Sequence, residues 1–315
     1  MRHPADVRRS RRIVSVPSMR HAEPVPTTLV GADGIRLASD SYGDPDGPPV
    51  LLFHGGGQTR HSWHTTADTL AGQGWRAISV DLRGHGESQW PDNGDYSIDA
   101  FAGDVVSIAL ALDEKPALVG ASLGGVASLV AAGESSVDLA TALVLVDIAP
   151  RIEVTGALRI GGFMMEHMES GFASVEEAAA AVAAYNPNRP PPSDFSGLMR
   201  NLRRREDGRL VWHWDPRFLT RQAGGLDETR VSLMDGERLD AAARALRVPT
   251  LLVRGRMSDV LSEDGVRQFR ELVPEAEFVD VADAGHMVAG DRNDVFNEAI
   301  VGFLNRRVSS KPAAN

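Results

Sequence analysis

Apolar and polar positions along the chain fall into two alternating periods. Pro49-Val50-Leu51-Leu52-Phe53, Trp75-Arg76-Ala77-Ile78-Ser79-Val80, Pro116-Ala117-Leu118-Val119, Leu143-Val144-Leu145-Val146 and Pro249-Thr250-Leu251-Leu252-Val253 are short, mostly apolar runs. Each is bounded by glycine, proline or aspartate, as in strands buried on both faces. Between them lie stretches with helical spacing. Ser62 to Gly72 is one, and Ile98 to Leu112 is another, with apolar residues at 101, 105, 108 and 112. An alanine-rich helix is expected from Val126 to about Ala132, and further helices over Glu263 to Leu272 and Asp294 to Arg306. Thr28-Leu29-Val30 and Ile35-Arg36-Leu37-Ala38 flank Gly31-Ala32-Asp33-Gly34 and read as a hairpin. Strands alternating with helices imply a parallel sheet covered on both faces, which is the α/β class.

The alternation stops after Pro150 and resumes at Pro249. The intervening stretch carries Phe163, Met164, Met165 and Met168, the alanine-rich Val175 to Ala184, Pro190-Pro191-Pro192 and Trp212-His213-Trp214. It reads as a helical insertion. The two tryptophans suit packing within it, or a wall for a substrate. Residues 1–26 differ again, with Arg8, Arg9, Arg11 and Arg12 clustered and four prolines. Paired arginines suggest export, but Ile13 to Met19 is too short and too mixed for the apolar region of a signal peptide. The segment is expected to be a disordered tail, or to precede a true start at Met19.

Composition narrows the function. The formal net charge of −10 disfavours nucleic acid as a partner, because such binding needs cationic surface. No apolar run approaches a membrane span, so no membrane partner is expected. The chain has no cysteine, which removes disulfides, thiolate metal sites and a cysteine nucleophile. That composition suits a cytoplasmic protein, and the cytoplasm is the expected location. No set of His, Asp and Glu has convincing metal spacing; His61 and His64 lack a third ligand. Gly55-Gly56-Gly57 is not followed by the Lys-Ser/Thr of a phosphate-binding loop. Neither a metal nor a cofactor is therefore expected.

The positive signal lies at Gly120-Ala121-Ser122-Leu123-Gly124-Gly125. A serine between a strand and a helix, flanked by glycines, suits a tight turn that lifts the hydroxyl above the carboxyl ends of the strands. The helix beginning behind the serine adds a positive dipole end and free N–H groups, and the N–H of Leu123 is then one oxyanion donor. The second is expected from the loop after the first core strand, at Gly56. A serine nucleophile needs a base. His286, in Ala284-Gly285-His286-Met287 after the last strand, is the candidate. Asp259, in the loop after Thr250–Val253, follows the serine and precedes the histidine.

On these residues the chain resembles the α/β-hydrolase superfamily over about residues 28 to 306. The resemblance rests on His54-Gly55-Gly56, Asp81-Leu82-Arg83-Gly84-His85-Gly86-Glu87-Ser88, the turn at Ser122, Gly255 to Asp259 and Gly285-His286, in that order. It implies a core formed by residues 27–150 and 249–308, with a helical cap at 151–248. It also implies a triad of Ser122, Asp259 and His286, while His54 and His85 buttress loops. Asp147 is the alternative acid, because some members place it after the preceding strand. Asp81, Arg83 and Glu87 are expected to fix their loop by charge pairing. The branch that looks nearest contains epoxide hydrolases and dehalogenases, which carry aspartate where Ser122 stands. A serine there would give an ether that water does not readily cleave, so the resemblance implies acyl chemistry.

The expected activity is therefore hydrolysis of a carboxylic ester or lactone of a small, partly apolar molecule through an acyl-enzyme. Perhydrolysis of the haloperoxidase-like kind and carbon–carbon bond hydrolysis use the same triad. A small-molecule receptor with a vestigial triad is the alternative of another class.

Overall fold

The computed structural model describes residues 23–185, 194–222, 235–282, 284–286 and 293–308. Of the tail expected over residues 1–26, residues 1–22 lie outside the described residues, whereas Val25 and Pro26 open the first strand and correct that boundary. The proline run at 190–192 and the C-terminal residues from 309 also lie outside the described residues. Eight strands form one sheet. They are β1 (Val25–Val30), β2 (Arg36–Tyr42), β3 (Pro49–Phe53), β4 (Arg76–Val80), β5 (Ala117–Ala121), β6 (Ala142–Val146), β9 (Thr250–Gly255) and β10 (Glu277–Val281). Their order is β1-β2-β4-β3-β5-β6-β9-β10. The hairpin β1–β2 and the pair β2–β4 are antiparallel, and the remaining pairs are parallel.

The parallel strands are apolar throughout because both faces are covered. Leu51, Phe53, Leu118, Leu143 and Leu145 face one core, whereas Val50, Leu52, Val119, Val144 and Val146 face the other. Burying a side chain of this size contributes roughly 1.5–3 kcal/mol. The first core is closed by α2 (Ile98–Leu110), α3 (Leu123–Glu134), α8 (Gly236–Ala245) and α9 (Glu263–Leu272). The second is closed by α1 (His64–Ala71) and α10 (Asn293–Arg307). Polar caps start three of these helices: Ser97, Asp235 and Ser262 accept the N–H groups of Ala100, Arg238 and Gly265, each at 3.2 Å. No helix among the described residues is long and apolar enough to cross a membrane.

The chain between β6 and α8 holds α4 (Val154–Glu166), α5 (Val175–Tyr185), α6 (Ser196–Met199) and α7 (Arg217–Gln222). It also holds an antiparallel hairpin, β7 (Leu202–Arg204) and β8 (Leu210–Trp212). The expectation of a purely helical insertion missed this hairpin, whose turn carries Gly208 at φ 86°. Trp212 meets Phe163 and Phe172 edge-on at 5.7 and 5.1 Å, and Tyr185 stacks on Phe163 at 4.5 Å. Trp212 thus packs within the insertion. The α8 helix, expected within the insertion, instead lies against α3 in the layer that covers the sheet.

Candidate active site

The strand order reverses at β3, with β4 on one side and β5 on the other. In open α/β sheets the crevice beyond the carboxyl ends of the strands at such a point is where ligands bind. The loops after β3 and β5 meet there. Ser122 follows β5 with φ 47° and ψ −116°, a conformation costing a non-glycine residue about 1–3 kcal/mol. Surrounding contacts hold it. Its N–H donates to Val146 O at 3.1 Å, and its carbonyl accepts the Val126 N–H at 2.9 Å. The helix therefore starts at Leu123, three residues before the sequence-based expectation. A side chain at Gly120 would collide with the Gly124 carbonyl, and one at Gly124 would lie 2.5 Å from Phe53 O. The glycines are required by this close approach of backbones. Ser122 occupies the helix N-cap, yet its side chain makes no capping bond, so the hydroxyl is not committed to the helix.

The glycine loop lies directly alongside. A Cβ built on Gly55 would sit 3.3 Å from Ser122 Cβ, and one built on Gly56 would sit 3.8 Å from Leu123 Cδ2. Gly124 N–H ties the two loops by donating to His54 O at 3.2 Å. The Gly55 N–H is occupied by Gln58 Oε1 at 3.0 Å. Among the described residues, no acceptor takes the N–H of Gly56 or of Leu123. Two apolar side chains from the insertion reach this loop. Met164 Cε lies 2.7 Å from a Cβ built on Gly57, and the Phe218 ring lies 3.4 Å from one built on Gly56.

His286 meets a different carboxylate from the one first expected. Its Nδ1 lies 2.7 Å from Asp147 Oδ2. Parallel pairing of Ala121 with Val146 puts Ser122 and Asp147 one residue beyond matched positions on adjacent strands. Asp147 is fully buried with φ 51°, and its N–H donates to Val253 O at 2.7 Å. Its Oδ1 accepts the Gly255 N–H at 2.9 Å, and its Oδ2 also accepts the Ser258 hydroxyl at 2.5 Å. These donors replace the water that a buried carboxylate loses. Asp259 lies elsewhere: its carboxylate pairs with Arg159 at 3.1 Å and its side chain is 36% exposed. Correcting the pairing of Asp259 with His286 follows from this geometry. The backbone of Asp259 is pressed against Gly156 of α4, and its side chain turns to the arginine one helical turn further on.

The buttressing groups are neutral or paired. His54 Nε2 accepts the Leu82 N–H at 3.0 Å, so its proton resides on Nδ1 and is donated to Gly55 O at 2.7 Å. Burial pushes His54 down to about 4 and His85 down to about 3. Arg60 is buried among Asp40, Asp81 and Glu87, at 3.0, 2.5 and 2.6 Å. Desolvation opposes its charge, but the three carboxylates win and raise its pKa. Arg83 grips Asp104 with two bonds of 2.7 Å. The arginine at 60 was not expected from sequence, although three acids around the loop called for a cation. Among the described residues no group of three or more His, Asp or Glu side chains could hold a metal ion.

An eight-stranded, mostly parallel sheet with a strained serine turn at its switch point is an α/β-hydrolase architecture. Residues 48–185 match the family model described as the alpha/beta hydrolase fold. An esterase of Mycobacterium tuberculosis is 30% identical over 268 residues, covering 82% of this chain and 84% of that protein. A non-heme chloroperoxidase of Streptomyces lividans is 27% identical over 287 residues, covering 88% and 99%. The crystal structure of an E-2-(acetamidomethylene)succinate hydrolase superposes with a TM-score of 0.76 at 25% identity, covering 90% of this chain and 99% of that one. This chain belongs to the α/β-hydrolase family and is an enzyme of that fold.

Proposed function

We propose that the enzyme hydrolyses a carboxylic ester or lactone of a small, partly apolar molecule through an acyl-enzyme on Ser122. The observation that carries this reading is the 2.7 Å bond between His286 Nδ1 and the buried Asp147, at the strand end next to Ser122. Asp147 fixes the imidazole with its proton on Nδ1, leaving the Nε2 lone pair to act as base. Ser122 Oγ attacks the carbonyl carbon as its proton passes to Nε2. The carbonyl π electrons move to oxygen, where the N–H groups of Gly56 and Leu123 receive the charge. Collapse expels the alkoxide, which takes the proton from His286 and leaves as the alcohol. Water, deprotonated by Nε2, then releases the acid and restores Ser122. Met164 and Phe218 beside the glycine loop support an apolar group on the substrate. The name of the Mycobacterium tuberculosis relative, an esterase, supports the same chemistry.

The test is covalent. A fluorophosphonate is expected to label the folded protein at Ser122, and Ser122→Ala is expected to abolish both labelling and hydrolysis of short p-nitrophenyl esters. Undiminished turnover by a folded Ser122→Ala protein would overturn the proposal.

A further inference from the structure

We infer that Ser258 is a positioning residue for this acyl transfer, its hydroxyl clamping the carboxylate that orients His286. The inference rests on the roles proposed for Ser122, His286 and Asp147. The direction of its hydrogen bond follows from counting. A serine hydroxyl has one proton and two lone pairs. The N–H groups of Val260 and Leu261 both donate to Ser258 Oγ at 3.1 Å and fill the lone pairs. The remaining proton points to Asp147 Oδ2 at 2.5 Å. Two incoming N–H bonds polarise the O–H, so the bond it gives to the carboxylate is strengthened.

The turn that carries Ser258 is braced at both ends. Ser258 N–H donates to Gly255 O at 2.8 Å, and Arg254 Nε donates to Leu261 O at 2.7 Å. Met257 N–H donates to Ala284 O at 2.8 Å, two residues before His286. One turn thus holds the acid through a side chain and the histidine loop through its backbone. Asp147 Oδ2 accepts from Ser258 and His286 together, so the hydroxyl shares the negative charge that would otherwise act on the imidazole alone. Losing it has two consequences. The carboxylate loses a fixed contact, and the imidazole that it orients is held less firmly. A base held less firmly is less often aligned with the attacking hydroxyl, so kcat falls while substrate binding is left in place.

The experiment measures kcat and KM for p-nitrophenyl butyrate from pH 5 to 9 with the full chain, comparing wild type with Ser258→Ala, Ser258→Cys, Ser258→Thr and Asp147→Ala. A hydrogen bond to a charged group corresponds to about a 10- to 100-fold change. Ser258→Ala is expected to lose kcat by that factor, with KM within about twofold. Ser258→Cys, near in shape but a weak donor, carries the same test if the alanine variant does not fold. Ser258→Thr restores the hydroxyl and is expected to restore the rate. An unchanged kcat in the alanine or cysteine variant, with Asp147→Ala strongly impaired, would overturn the role of Ser258 alone. Full activity in Asp147→Ala would instead overturn the assignment of the acid, and the clamp with it.

Discussion

Asp147→Asn and Asp259→Asn make a sharp comparison, because the two substitutions are chemically identical and the two sites are not. At position 147 every oxygen accepts. Oδ1 takes the Gly255 N–H, and Oδ2 takes the Ser258 hydroxyl and His286 Nδ1. An asparagine has one oxygen and one NH2, so either orientation sets a donor against a donor. With NH2 toward His286, the imidazole must place its proton on Nε2, and the lone pair that the proposed mechanism uses to deprotonate Ser122 is gone. With NH2 toward Gly255, a buried backbone N–H is left facing another donor, at about 1–3 kcal/mol. Loss of the correct tautomer in a serine triad lowers kcat by about 10⁴-fold, or about 5.4 kcal/mol at ~1.36 kcal/mol per decade. At position 259 the carboxylate is 36% exposed and its arginine partner 53%. A pair so screened by solvent contributes about 0–1 kcal/mol, so Asp259→Asn is expected to change kcat by less than about fivefold. The assay is kcat and KM on a p-nitrophenyl ester, with thermal melts to show that both variants fold. A larger loss of kcat at 259 than at 147, in folded proteins, refutes the reasoning.

Two further outcomes follow from the packing around the site. Phe218 is buried and meets His85 edge-on at 4.9 Å while covering Gly56, so Phe218→Ala is expected to cost about 3–5 kcal/mol by urea denaturation and to raise KM for small esters. His54 is held near 4, below its ordinary value of 6.5, so the unfolded chain binds a proton that the folded chain refuses between those values. Its contribution is fully present above pH 6.5 and falls as pH drops toward 4, with a slope of about 1.4 kcal/mol per pH unit. His54→Asn, which keeps a donor and an acceptor without titrating, is expected to remove that slope from unfolding free energies measured between pH 6.5 and 5. An unchanged slope in this variant would show that His54 is protonated in the fold.

Much of the sheet could be read from the sequence because its strands are buried on both faces. Runs such as Val50 to Phe53 and Leu143 to Val146 have no other stable use in a chain of this length. The serine turn was legible for a related reason: glycines at 120 and 124 are needed wherever backbones approach so closely. The hairpin at Leu202–Arg204 and Leu210–Trp212 was missed, although Asp207-Gly208 is a turn signal, because the charged residues Arg203 to Glu206 and Arg209 around it hide the strands. Three-residue strands are too short for alternation to show. The meeting of α8 with α3 was not legible at all, since an amphipathic helix carries no label for the surface that receives it.

The choice between the two aspartates shows where linear order stops being informative. Both follow a strand, and both lie between the serine and the histidine in the chain. Their surroundings differ in a way that local sequence did carry. Asp147 sits between Val146 and Ile148, beside Ala149 and Pro150, whereas Asp259 follows Arg256-Met257-Ser258. A carboxylate embedded in apolar sequence will be buried, and a buried charge persists only where donors converge on it. The fold supplies those donors from three separate places: the end of β9 at Gly255, the turn at Ser258 and the loop at His286. They converge because β9 lies next to β6, with Val253 paired to Val146. Asp259 has no such need, and an arginine on the insertion satisfies it at the surface. Burial distinguishes the acid that must have a partner from the acid that merely has one. In this sheet, the carboxylate that must have a partner is Asp147, buried at the end of the strand beside the serine's.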